Sequence, residues 1–295
     1  MTPARRCVLS ASRRTDIPAF YLDWFLEGIR RGYFEVRGPY QRQPRRVAAG
    51  VAAVHTIVFW SKDFSRFLRR RVGEDLQRQG FHLFFNFTVN SRDPLLEPRV
   101  PALNERLDQL AELARRFSPA AIHWRFDPIC HYRTADGGTH DNGGDFQRIA
   151  DAAAAAGIRR CVTSFVDLYP KVRRRAERAG IRFEDPPMAE KSATLEAMAK
   201  TLHSRKIGLE TCCEADVLAH LPLDTQIRAG ACIPSERLMA LFGGRLSLRQ
   251  DAGQRRRAGC RCRQSVDIGS YDLHPCRHNC LFCYARPAGP ASTEP

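Results

Sequence analysis

Short apolar runs alternate with longer stretches of helical periodicity along almost the whole chain, and this alternation restricts the fold more than any other feature. Cys7–Ser10, Val54–Trp60, His82–Val89, Ala121–Phe126, Cys161–Val166, Lys206–Thr211 and Ser265–Ser270 read as strands. Between them, Pro18–Arg31, Ala102–Phe117, Asp145–Ala156 and Pro187–Ser204 carry apolar residues at helical spacing. Strands joined by helices imply βα units and a parallel sheet, because parallel neighbours need a long crossover. Six or seven such units predict an α/β fold, a complete or partial (β/α) TIM-like barrel, with an open doubly wound sheet as the alternative. With 295 residues the chain can bury one large core. The expected organisation is one barrel-like domain over residues 1–285, followed by a disordered Pro/Ala tail over 286–295. Thr134–Gly144, polar and Gly-rich, reads as an excursion at a strand end and not as a boundary.

In βα folds the working residues sit where strands end. Here those positions are polar. They read Ser10-Ala11-Ser12-Arg13-Arg14-Thr15-Asp16, then Trp60-Ser61-Lys62, Asn86 and Thr88, Trp124-Arg125-Phe126-Asp127-Pro128, Ser164 with Asp167, and Glu210-Thr211-Cys212-Cys213-Glu214. A barrel would bring them to one mouth. Arg13, Arg14, Lys62 and Arg125 are candidates to neutralise an anionic group. Asp16, Asp127, Asp167 and Glu214 are candidates for positioning or proton transfer. Each alone also reads as a cap or turn residue: Asp16, before Ile17-Pro18, has the pattern of a helix N-cap.

The chain has 11 cysteines, and five of them fall between residues 260 and 283. No apolar stretch is long enough for a secretory signal or a membrane span, so a cytosolic protein without membrane partners is expected. Disulfides are improbable there, and clustered cysteines point to metal or redox chemistry. Cys276, Cys280 and Cys283 stand at C-x3-C-x2-C spacing, which suits a tight loop around one corner of an iron–sulfur cubane. Three thiolates on a [4Fe–4S] cluster leave one iron open to a cofactor or substrate. Structural zinc, helped by His274 or His278, is the competing reading. Cys212, Cys232, Cys260 and Cys262 are candidates for a second site, an auxiliary Fe–S cluster or a zinc, with Cys213 as a spare neighbour. Cys7, Cys130 and Cys161 read as core residues.

The net charge of +15 raises a nucleic-acid reading, in which a zinc- or cluster-stabilised module grips the backbone without catalysis. Yet 42 of the 47 basic residues are Arg, and runs such as Arg69–Arg71, Arg173–Arg175 and Arg255–Arg257 read as solvated faces.

The segment Cys276-Arg277-His278-Asn279-Cys280-Leu281-Phe282-Cys283-Tyr284-Ala285-Arg286 resembles the radical S-adenosylmethionine (SAM) signature, and in particular proteins related to spore photoproduct lyase. The wider chain resembles the DUF1848 family. The carrying residues are Ser10–Pro18, Val58–Lys62, Trp124–Ile129, Ser164–Tyr169 and Val266–Tyr271. The resemblance implies a [4Fe–4S] cluster on Cys276, Cys280 and Cys283, bound SAM, a 5′-deoxyadenosyl radical, and a reductant such as flavodoxin or ferredoxin. It also implies cysteine ligands at 212, 232, 260 and 262. It supplies no substrate; an anionic molecule or a nucleic acid is expected. The signature normally follows the first barrel strand, whereas here it closes the chain. A circularly permuted barrel, with Ser265–Tyr271 as that strand, accounts for the difference.

Overall fold

A computed structural model describes residues 6–36 and 43–285. The tail expected at 286–295 lies outside the described residues. Eight parallel strands form the main sheet: β1 (Cys7–Ala11), β2 (Val54–Ser61), β3 (His82–Thr88), β4 (Ile122–Ile129), β5 (Arg160–Phe165), β6 (Gly208–Thr211), β7 (Arg228–Ala229) and β8 (Val266–Asp267). Their order is β7-β6-β5-β4-β3-β2-β1-β8. Chain neighbours are sheet neighbours throughout, and β8 returns to lie outside β1, with Leu9 opposite Val266 and Ser10 opposite Asp267. Among the described residues no ladder joins β7 to β8. The expected α/β fold with alternating helices is therefore present, and the doubly wound strand order is not.

The strands are apolar because both faces are covered. Leu9, Phe59, Phe85 and Trp124 pack with helix residues such as Phe25, Phe67, Leu110 and Ile149 in the largest core. The alternate residues Val8, Val58, Phe84 and Val162 pack on the other face against Cys232, Ile233, Leu238, Leu246, Cys260 and Cys262. Residues 230–262, which include helix Ser235–Phe242, thus cover this second face. A strand's period of two continues this face into polar residues: Val8 leads to Ser10 and Ser12, Val58 to Trp60, and Phe84 to Asn86 and Thr88. On this face these three strands are thus apolar at their start and polar where they end.

Two excursions decorate the sheet. Tyr33–Val36 pairs antiparallel with Arg45–Ala48. His131–Thr134 pairs with Thr139–Asp141 and with Ile181–Glu184, so the Gly-rich stretch is indeed an excursion beyond β4. With helix Pro170–Arg178 this small sheet makes a separate core that receives Cys280, Leu281 and Phe282. The helix expected over Pro18–Arg31 divides into Ile17–Phe20 and Leu22–Arg31 at Tyr21. No helix among the described residues is long and apolar enough to cross a membrane.

Candidate functional site

One cavity of about 480 Å³ opens at the carboxyl ends of the strands. Arg13, Arg14, Asp16, Lys62, Arg125, Asp127 and Asp167 all line it. So do the two cysteine sets, Cys276, Cys280 and Cys283 on one part of the wall and Cys212, Cys232, Cys260 and Cys262 on another, with Cys213 beside the second. Glu214 is not among the lining residues. Its Oε1 accepts the Phe165 N–H at 2.8 Å, and burial raises its pKa to about 7.

Several of the cavity's cations are paired with carboxylates. Lys62 Nζ donates to Glu97 at 2.5 Å and stands 5.2 Å above the Phe282 ring. Burial disfavours its ammonium, but Glu97 reverses this and raises the pKa. Arg125 donates to Asp127 at 2.5 Å and, with its other terminal nitrogen, to Cys232 Sγ at 2.5 Å. Arg255 pairs with Asp167. The Trp60 ring meets two guanidiniums, 5.4 Å from Arg13 and 5.3 Å from Arg125. Arg14 donates to the Gly269 carbonyl at 2.9 Å and faces the Tyr271 ring.

Asp267, at the end of β8, ties the first polar loop down. It accepts from Ser10 Oγ at 3.0 Å, the Arg13 N–H at 2.8 Å and the Gly269 N–H at 3.1 Å. Asp16 is the N-cap that its position suggests, accepting the Ala19 N–H at 3.0 Å. It also accepts from Ser61 Oγ and from the Lys62 N–H, each at 2.8 Å, and meets His278 Nε2 at 2.8 Å.

The C-terminal cysteine loop is docked from three sides. His278 has a carboxylate on Nε2 and the Arg99 carbonyl on Nδ1, so both ring nitrogens are engaged within the protein. His274 packs against Trp24 and Tyr21, and its Nδ1 accepts the Ser270 N–H. Arg175 Nη1 donates to the carbonyls of Cys280, Leu281 and Cys283 at 3.1, 3.2 and 2.8 Å. Sequence alone reads Arg175 as one of three solvated arginines, and the structure corrects this. Glu97 and Asp267 were also missed; only the polar end of the Ser265–Ser270 run hinted at the second.

Burial pushes the Cys276 thiol up to about 12, and raises those of Cys280 and Cys283. The free thiols are protonated, and a metal would displace those protons. Among the described residues no group of three or more His, Cys, Asp or Glu side chains stands in formed metal-holding geometry. The donor set nevertheless suits thiophilic iron: three thiols of one short loop reach the cavity wall, and both nitrogens of His278 are otherwise engaged.

No curated protein matches the chain. A family profile described as a domain of unknown function, DUF1848, matches residues 8–285, which span β1 through the last cysteine of the loop. On that match, which takes in every strand-end residue and both cysteine sets, the chain belongs to the DUF1848 family.

Proposed function

We propose that the protein is an iron–sulfur enzyme of the radical SAM type, and that its sheet is a (β/α) barrel permuted so that the cluster loop follows the last strand. The observation that carries this reading is that Cys276, Cys280 and Cys283 line the same cavity as the polar strand ends. A [4Fe–4S] cluster on three thiolates keeps one iron open and, with SAM there, supplies one-electron cleavage of the sulfonium. The chain's own residues do the rest. Asp16 and Arg175 hold the loop. Arg13, Arg14 and Lys62 favour an anionic occupant. Asp127, with Ser164 Oγ on its Oδ1 at 2.5 Å, orients polar groups beneath it.

The alternative of a nucleic-acid grip without catalysis gains little support from the arginines. Arg70 pairs with Asp23, Arg71 with Glu74, and Arg175 is spent on the loop. Surface charge that is already paired contributes weakly to phosphate binding.

The test is anaerobic iron and sulfide analysis with EPR of the reduced protein, with and without SAM. The expected result is about four irons held by the C-terminal set, with a signal that SAM perturbs. Zinc in place of iron, a signal indifferent to SAM, or a Cys280→Ala variant with full iron content would overturn the proposal.

A further inference from the structure

Five of the thiols outside the C-terminal loop, Cys212, Cys213, Cys232, Cys260 and Cys262, gather on one part of the cavity wall. Cys212 Sγ lies 3.7 Å from Cys213 Sγ and 3.7 Å from Cys232 Sγ. Cys260 and Cys262 pack with Cys232 in the same buried cluster, against which Cys212 and Cys213 also lie. Three separate stretches supply them: the turn after β6, the chain just past β7, and the crossing segment before β8. All five are free thiols.

Buried cysteines often serve as small hydrophobes. Two features separate this group from such packing. A tetrahedral ion with metal–sulfur bonds of about 2.3 Å has sulfur–sulfur edges near 3.8 Å. The two measured edges, both 3.7 Å, have that length. The second feature is charge. Arg125 places a guanidinium nitrogen 2.5 Å from Cys232 Sγ, and Arg13, 11 % exposed at its side chain, packs on the same Trp60 ring. Both guanidiniums also face a carboxylate, Asp127 and Asp251. Four thiolates around a divalent ion carry a net charge of about −2, which two guanidiniums can balance.

We propose that Cys212, Cys213, Cys232, Cys260 and Cys262 hold a second metal centre, of zinc or iron, on the wall of the same cavity. Four thiolates fill a tetrahedral ion, so one of the five is surplus. The centre is independent of Cys276, Cys280 and Cys283, and it stands whether or not those three carry a cluster.

The experiment measures zinc, iron and labile sulfide in the full chain purified anaerobically. A Cys276→Ala/Cys280→Ala/Cys283→Ala variant is expected to keep about one equivalent of zinc or iron. Adding Cys232→Ser and Cys262→Ser should remove it. A folded triple variant that takes up neither zinc nor iron, even on reconstitution, would overturn the centre. So would metal that persists after Cys232 and Cys262 are replaced. If the triple variant does not fold, Cys232→Ser/Cys262→Ser in the otherwise unchanged chain provides the reading: it should lose one equivalent, and unchanged metal content sinks the proposal. Identical metal in the wild type and a folded triple variant would defeat the radical reading and leave this centre intact.

Discussion

Asp16 Oδ2 and His278 Nε2 meet at 2.8 Å, joining the loop after the first strand to the middle of the C-terminal cysteine motif, and both residues are buried. The other His278 nitrogen faces the Arg99 carbonyl, so both ring nitrogens are engaged. Asp16 raises the His278 pKa against the burial that opposes it. Breaking a buried pair from one side leaves an uncompensated charge, at a cost of about 3–5 kcal/mol. Asp16→Asn keeps a cap acceptor for Ala19 but removes the counter-charge. It should lower stability by about 3 kcal/mol and release iron from the C-terminal set on gel filtration. Iron retention and a denaturation midpoint equal to wild type would show that the pair does not dock the loop.

Arg175 acts on the same loop, gathering three of its carbonyls, those of Cys280, Leu281 and Cys283. Hydrogen bonds to a charged group contribute about 1.5–3 kcal/mol each where buried. Arg175→Met keeps the aliphatic stem and removes the donors. The expected outcome is faster iron loss to a chelator with the far-ultraviolet spectrum unchanged. Its neighbours Arg173 and Arg174 serve as the comparison: replacing either should leave chelation rates at the wild-type value.

Glu97 carries two buried cations. Its Oε1 accepts from Lys62 at 2.5 Å, and Arg106 Nη1 lies 3.7 Å from its Oε2. Arg106 is 2 % exposed, and its Nε has no partner. Glu97→Gln therefore strands both cations and should cost more than Lys62→Met, which leaves Glu97 paired with Arg106. The predicted loss for Glu97→Gln is about 3–5 kcal/mol in urea unfolding, and for Lys62→Met clearly less. The reverse order would mean that Arg106 does not compensate this carboxylate and that Lys62 is its main partner.

What could be read from the residues followed from how parallel strands bury themselves. β2 and β3 are apolar on both faces, so their runs stand out in the sequence. β7 has two residues, Arg228 and Ala229, and no run to detect. The cavity was legible because the polar strand ends share one register, which a parallel sheet brings to one edge. Arg175 and Glu97 were not: the first acts through a long side chain reaching a distant loop, and the second lies in a connection whose path no periodicity encodes. Glu214 had the right sequence position, yet its carboxylate turns to the Phe165 amide.

A last consequence concerns pH. His123, in β4, is 1 % exposed, lies edge-on to Phe84 with ring centres 4.7 Å apart, and neither ring nitrogen has a partner. Burial and then the nearby Arg237, Arg160 and Arg125 hold its pKa well below 6.5. The sign follows from which state binds the proton. Above pH 6.5 both states are neutral and this residue adds no pH dependence. Below it the unfolded chain takes a proton that the folded ring refuses, so stability falls as pH drops, by up to about 1.4 kcal/mol per unit. His123→Phe keeps an apolar ring against Phe84 and removes the titration. Between pH 7 and pH 5 the variant should lose about 2 kcal/mol less stability than the wild type. Parallel pH profiles for the two proteins would show that the folded ring takes up its proton without penalty.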